Sequence, residues 1–358
     1  MSKETAQWLN TMTLIGFTEQ RGNAWHYRAD LQREHVTASG RKYLGNHYPD
    51  AIPLEDVEDR LFDWEASLAD IQLADGFVIP GKRAVVPSDD PHHVFEIVSD
   101  SYQIHGFKEW LLGNVAELVA GGQADGDSIH ISSAGAIKGR AIAWVELSLK
   151  DTIWTSAGIG FRPNILATTS LNRTVATTYK RTAQLVVCDN TYWGAMGERG
   201  ETYKRRHTRN SGGKMEMDRA REALGLIVAT VDDMERELQR LTEIEVTREE
   251  FDTIVKELTK PKDPESKSGQ THAEKKRDQL TALYTSDPRV EPWSGTAFGV
   301  TQAVNTWNHH VKATHGATNR AERNMHDAIV GNTSAEDHNV WNMIVKVKGL
   351  DRKELVTV

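Results

Sequence analysis

The stretch Arg140-Ala-Ile-Ala-Trp-Val-Glu-Leu-Ser-Leu149 decides how this chain should be read. It is an apolar, β-type run, and others like it lie close by: Ser128-Ile-His-Ile-Ser132, Thr152-Ile-Trp-Thr155 and Asn164-Ile-Leu-Ala-Thr168. Gly, Asp and Pro separate them, and short runs divided by turn residues favour an antiparallel meander. Val175 to Val187 is rich in β-branched residues and is expected to be the last strand, with the sheet ending at a turn over Cys188-Asp189-Asn190.

Towards the N-terminus, Arg83-Ala-Val-Val86 and Val94-Phe-Glu-Ile-Val98 read as a hairpin. Phe107, Trp110, Leu111, Val115, Leu118 and Val119 then recur at helical spacing until Gly121-Gly122 stops the pattern. The opening 75 or so residues mix aromatic and polar side chains, apart from a short helix-like stretch from Pro53 to Trp64. Towards the C-terminus, Ala220, Leu224, Ile227, Val231, Met234, Leu238 and Leu241 alternate spacings of four and three, a heptad seam on a long helix. Such a seam suits a contact between subunits or packing within one chain. Thr247-Arg-Glu-Glu250 and Thr271-His-Ala-Glu274 match capping boxes that start two further helices. Val300, Val304, Trp307 and Val311 share one helical face, and Met325, Ala328 and Ile329 another.

The expectation is an α+β fold: an antiparallel meander sheet with an inserted helix, followed by a mostly helical C-terminal half. The expected divisions are a partly irregular lead-in over 1–75, a β-rich core over 76–214 and a helical region over 215–358. Residues 260–270 carry almost no apolar side chain and are expected to be an exposed, mobile connection.

Composition narrows the function classes. With 358 residues, 39% hydrophobic and 26% charged, the chain has a globular mix. The lone Cys188 allows no internal disulfide and no cysteine metal cluster, which points to a reducing compartment, most simply the cytoplasm. No apolar run approaches the roughly 20 residues that cross a bilayer, and the opening residues lack a signal-peptide core, so no membrane role is expected. A net charge of −8 argues against coating nucleic acid through bulk charge.

Local charge says something different. Between Asn172 and Lys214 stand Arg173, Lys180, Arg181, Arg199, Lys204, Arg205, Arg206, Arg209 and Lys214, against the acids Asp189, Glu198 and Glu201. Tyr179, Tyr192, Trp193 and Tyr203 are interleaved with them. Cations hold phosphates and rings stack on unpaired bases, so this mixture suits single strands. Because neighbouring strand residues point to opposite faces, at most one of Lys180 and Arg181 can share a sheet surface with the basic run after Tyr203.

Other constellations are poorer in chemistry. Cys188 and His207 are a nucleophile and a base in type only, and a cysteine after a β run is usually a small buried apolar residue. His92-His93, His309-His310 and His315 lack the carboxylate or thiol spacing of a metal motif. Neither a phosphate-binding loop nor a dinucleotide-binding turn is present, so no cofactor, metal or catalytic residue is assigned. Asp63, Glu65, Asp100 and Glu146 have no spacing that gathers them at a magnesium ion.

Several segments together carry a resemblance: Ala24-Trp25-His26, Leu44-Gly45, Leu61-Phe-Asp-Trp-Glu65, Val98-Ser-Asp-Ser-Tyr102, Val187-Cys-Asp-Asn-Thr191 and His207-Thr208. In this order, over about residues 20–240, the chain resembles the phage/plasmid-like family named for a Leu-Gly-Thr (LGT) motif, a domain of unknown function found in phages, plasmids and prophages. Asn46 stands where that motif has Thr, and extra residues separate Trp25 from Leu44. The resemblance implies a mobile-element setting, in which single-strand annealing proteins join a hairpin or meander to a helix and assemble into rings or filaments.

The functional expectation is a phage single-stranded-DNA-binding and annealing protein that acts in replication or recombination without a cofactor. Lys180, Arg181, Lys204, Arg205, Arg206 and Arg209 would grip phosphate, with Tyr179, Tyr192 and Trp193 as stacking platforms and a homo-oligomer as the assembled form. The alternative is a host-interaction or counter-defence protein that binds a host protein through Glu235, Glu237, Glu243, Glu245, Glu249 and Glu250.

Overall fold

A computed structural model describes residues 12–17, 34–36, 42–46, 48–124, 129–185, 191–192, 202–205, 231–314 and 320–350. The fold is mixed α and β, with antiparallel sheets towards the N-terminus and helices gathered mostly in the C-terminal half. It divides into two compact units, one made of residues 1–151, 163–181 and 201–229 and the other of 152–162, 182–200 and 230–358.

In the first unit come β1 (Thr13–Ile15), β2 (Glu34–Val36), β3 (Lys42–Leu44), α1 (Leu54–Leu61), β4 (Ala66–Gln72), β5 (Val78–Pro87) and β6 (Glu96–Ser99). A π-helical turn, Phe107–Leu112, runs into α2 (Gly113–Ala124), and β7 (Ile129–Ile137) and β8 (Ile142–Leu149) follow. Further on are β9 (Ile153–Trp154), β10 (Gly160–Ser170), β11 (Thr177–Leu185), β12 (Thr191–Tyr192) and β13 (Thr202–Arg205).

The main sheet has the order β1-β7-β8-β10-β11, a meander through its last four members. The stretch quoted at the outset supplies β8, where Val145 faces Ala134 of β7 across one ladder and Ala167 of β10 across the other. Strands β8 and β10 are buried on both faces, which is why β8 is apolar with little alternation, while β10 also buries Arg162, Asn164, Thr168, Thr169 and Ser170. On one face Val145, Leu147, Ile165 and Ala167 pack with Val57, Leu61, Phe107, Leu111, Val115 and Leu118 of the helices. On the other, Gly135 leaves the room that the Trp144 ring fills.

Strands β4, β5 and β6 form a separate antiparallel sheet that contains the expected hairpin. Its first strand, like β1, comes from the stretch that reads as irregular, while α1 is the helix-like stretch expected between Pro53 and Trp64. Helix α1 carries Glu55 and Asp56 in its first turn and Arg60 in its last, as the helix dipole favours. The π turn and α2 realise the inserted helix, which runs past Gly121-Gly122 to Ala124.

One expectation is overturned at the end of the meander. The sheet does not stop at the turn after Val187: β12 pairs with Ala183-Gln184, and β13 pairs with β11 from Thr177 to Lys180. The basic stretch beyond the expected end of the sheet therefore supplies an edge strand. Its Thr-Tyr pair suits a pleated surface, but charged neighbours hide the signal.

The second unit is helical, with a helix at 231–243, here α3, followed by α4 (Arg248–Leu258) and α5 (Lys267–Ser286). A 3₁₀ turn at Glu291–Trp293 precedes α6 (Ala297–Thr306), a π turn at Trp307–Val311, α7 (Arg320–Val330) and α8 (Asn332–Lys348). The capping box at α4 is present in both directions: Glu250 N donates to Thr247 Oγ1, and Thr247 N donates to Glu250 Oε2. The second expected box is not a helix start. Helix α5 begins earlier, where Ser266 Oγ accepts from Gly269 N, and Thr271 already lies inside it, donating to the Lys267 carbonyl. The last part of the expected connection at 260–270 is thus helical. Every residue of α6 is buried, so this helix is the centre of the unit. Met234, Leu238 and Leu241 of the heptad seam are buried with Phe251, Ile254, Phe298 and Ile344 and pack within the chain, Val231 is half-buried, and Ala220, Leu224 and Ile227 lie outside the described residues. None of the described helices is long and apolar enough to cross a membrane.

Candidate nucleic-acid interface

The two basic clusters, distant in sequence, meet as neighbouring strands. Lys180 and Arg181 lie on β11, and Lys204 and Arg205 on β13, with the register Tyr179 to Tyr203, Lys180 to Thr202, Thr178 to Lys204 and Thr177 to Arg205. Residues opposite one another in a ladder occupy the same face, and faces alternate along a strand. Positions 180 and 204 therefore fall on one face of the ladder, and positions 205 and 181 on the other, with 177 and 179. The single basic patch suggested by composition is divided by the pleat.

The face of positions 177 and 179 is fixed from beneath by the π turn and α2. Thr177 Oγ1 lies 2.6 Å from His105 Nδ1 and 2.8 Å from Thr169 Oγ1. The His105 ring stacks on Trp110, with centroids 3.9 Å apart and planes within 9°. Asn114 Nδ2 donates to the Tyr179 hydroxyl at 3.0 Å. This is a buried polar arrangement that holds β11 in place. His105, Asn114, Thr169 and Thr177 do not stand out in the sequence, because the partners that give them a role lie on distant elements.

Tyr179 was expected as a stacking platform, and the structure corrects this: it is only 4% exposed and belongs to the core of the first unit. A tyrosine with a buried hydroxyl needs a partner, and Asn114 supplies one. Lys180 is half-buried on the other face. Tyr192 lies on β12 opposite Ala183. Trp193, Arg206, Arg209, Cys188, His207 and His315 lie outside the described residues. Arg173 is exposed at the turn between β10 and β11, in a left-handed conformation. It opposes the burial that pushes the nearby Tyr102 hydroxyl up to about 12.

Beside the π turn is a hollow of about 550 Å³ lined by Leu54, Glu58, Lys108, Trp110 and Asn114, among others. Glu58 pairs with Lys108 at 2.6 Å across it and holds the ammonium above its ordinary range. Asn114 thus links this hollow to the strand that carries Lys180.

The acids considered for a metal are dispersed. Glu146 is used on the main sheet, where it accepts from Ser133 Oγ at 3.0 Å and from Asn164 Nδ2 at 2.9 Å. Among the described residues no three His, Cys, Asp or Glu side chains come together in a way that would hold a metal ion. Segments of the sequence resemblance have structural positions. Gly45 is left-handed and its carbonyl accepts from Arg60 Nη2, while the Asn46 amide donates to the Thr13 carbonyl at 2.6 Å. Trp64 is buried beneath the Arg140 guanidinium, which lies 4.7 Å from its ring and pairs with Asp89.

An α+β sheet edge bearing two basic strands does not by itself define an activity. Residues 94–330 match the family described as a domain of unknown function (DUF932), and the chain belongs to that family. The match starts beyond α1 and extends to the end of α7, covering most of both the sheet and the helices. No curated protein and no solved structure matches the chain.

Proposed function

We propose that this protein binds single-stranded nucleic acid along the β11 and β13 edge of its first unit, with Lys180 and Lys204, at positions on one face of the ladder, as the leading phosphate-binding residues and Arg181, Arg205, Arg206 and Arg209 as the further candidates. The observation that carries the proposal is the register placing Thr178 opposite Lys204 and Lys180 opposite Thr202, which brings basic positions of two strands onto one face. Cations on a strand edge suit the phosphates of an extended single strand. Tyr179 is removed from the stacking role by its burial, and Tyr192 and Trp193 belong to the second unit.

The resemblance to a phage and plasmid family gives the biological form of the proposal: a mobile-element protein that binds and anneals single-stranded DNA in replication or recombination, as an oligomer and without a cofactor. The host-protein alternative draws less support. Glu243 and Glu250 are ion-paired within the helical unit, to Arg240 and Lys348, which leaves Glu245 and Glu249 among its exposed acids.

Fluorescence anisotropy with a labelled single-stranded oligonucleotide tests the proposal. Binding should be saturable at low salt and should weaken steeply as salt rises. Absence of binding by the full chain at low salt would end this reading, and a stoichiometric host protein captured by a chain without DNA affinity would favour the alternative.

A further inference from the structure

A different set of cations surrounds a hollow in the helical unit. The hollow measures about 470 Å³ and lies between the end of α4, the connection that follows it and the first turns of α5. Lys260, Lys262, His272 and Lys276 line it, with Asp263 as the carboxylate in the lining. Asp263 already serves its own turn, since its Oδ1 accepts from Glu265 N at 3.0 Å.

None of these lysines is ion-paired among the described residues, which is also true of Lys256, Lys267 and Lys275 in the same unit; what sets Lys260, Lys262 and Lys276 apart is that they line one concavity. Elsewhere in the same unit Lys312, Lys346 and Lys348 have carboxylate partners in Glu336, Glu257 and Glu250. In a chain with a net charge of −8, carboxylates are abundant, so several unpaired cations around one concavity are not a consequence of scarcity. Lys276 is the most constrained. Its ammonium rests 4.1 Å from the centre of the Trp307 ring, and Trp307 is itself held by Nε1 donating to Gln279 Oε1 at 2.9 Å. A ring face supports a cation without neutralising it. Burial lowers the affinity of Lys276 for its proton, with Glu336 opposing it and Lys312 adding to it. An incoming anion would favour the charged ammonium.

We infer that this hollow binds a phosphate group, with Lys276 at its wall and Lys260, Lys262 and His272 around its mouth. Ammonium groups act as point charges towards phosphate and need no fixed planar geometry, which suits lysines arriving from a connection and a helix. The positive end of α5 adds to the same field without being the basis of the site. The phosphate could be free or carried by a nucleotide. This inference concerns the helical unit alone and does not rest on the β11 and β13 interface.

Calorimetric titration of the full chain with inorganic phosphate, and separately with a nucleoside 5′-monophosphate, tests it at low ionic strength. Saturable binding of either probe is expected, and the tighter of the two identifies the source of the phosphate. Lys276→Met keeps the stem on Trp307 and removes the charge, and should weaken binding about tenfold or more, equivalent to about 1.4 kcal/mol. Lys260→Gln with Lys262→Gln changes exposed side chains only and should weaken binding without altering thermal unfolding. No saturable binding of either probe, or unchanged affinity in both variants, would overturn the inference.

Discussion

Asn114 on α2 donates a hydrogen bond to the hydroxyl of Tyr179 on β11, and Tyr179 is in turn the ladder partner of Tyr203 on β13. A helix side chain thereby fixes the strand on which the proposed binding edge is built. Tyr179→Phe keeps the ring and removes the accepting oxygen, so it should cost about 1 kcal/mol. Tyr179→Ala also removes a buried ring and should cost about 3–5 kcal/mol. Urea unfolding followed by fluorescence measures both. Oligonucleotide affinity should be unchanged in Tyr179→Phe, and a loss of affinity there would contradict a purely structural role.

The division of the basic positions by the pleat has its own consequence. Lys180→Gln and Lys204→Gln remove charges at positions on one face, and their effects on oligonucleotide binding should be coupled. Lys180→Gln with Arg205→Gln, at positions on opposite faces, should combine additively. For each phosphate no longer neutralised by a cation, the slope of log affinity against log salt should fall by about 0.7, the value for single strands. Equal coupling in both pairs would argue against a face-specific path for the strand.

Gly135 tests the packing of the main sheet. A Cβ at this position would overlap the Trp144 ring and lie 2.6 Å from the Met12 carbonyl. Both neighbours are held, one by burial at 1% exposure and the other as backbone beside β1. Gly135→Ala should therefore destabilise the first unit by about 1–3 kcal/mol, as overpacking does. Pairing the change with Trp144→Leu, which frees the space, should recover part of the loss in the same unfolding measurement.

His309 gives the helical unit a pH dependence of defined sign. Burial, and next the Arg323 charge, push its imidazole from the ordinary 6.5 down to about 4, with Asp327 opposing and Lys312 adding to the effect. A histidine kept neutral when folded is protonated more readily in the unfolded chain, so the unfolded state binds more protons between about 6.5 and about 4. Its contribution to stability is full above 6.5 and falls as the pH drops through that window. His309→Gln should flatten the dependence between about pH 6.5 and about pH 5, as read from urea midpoints. An unchanged slope would show that another group titrates there.

Much of the architecture could be read from residues alone. The meander around Arg140–Leu149, the inserted helix after Phe107 and the capping box at Thr247 and Glu250 all depend on local pattern: β-branched runs between turn residues, helical spacing, and a hydroxyl three positions before a carboxylate. Where local signals compete, sequence was less informative. Thr271-His-Ala-Glu274 has the composition of a helix start, yet Ser266 captures the cap first and the helix is already under way at Thr271.

The basic stretch shows where local reasoning stops. Sequence by itself determined that Lys180, Arg181, Lys204 and Arg205 are concentrated in an acidic chain, and that adjacent strand residues must diverge. Tertiary structure alone decided that Thr202–Arg205 folds back as an edge strand on β11 and in which register, because strand pairing joins residues with no local signal of one another. It also decided that Tyr179 faces Asn114 and not solvent, and that Lys276 rests on Trp307 beside the hollow lined by Lys260 and Lys262. Burial and charge pairing belong to the assembled unit, since they depend on which distant side chains arrive next to one another.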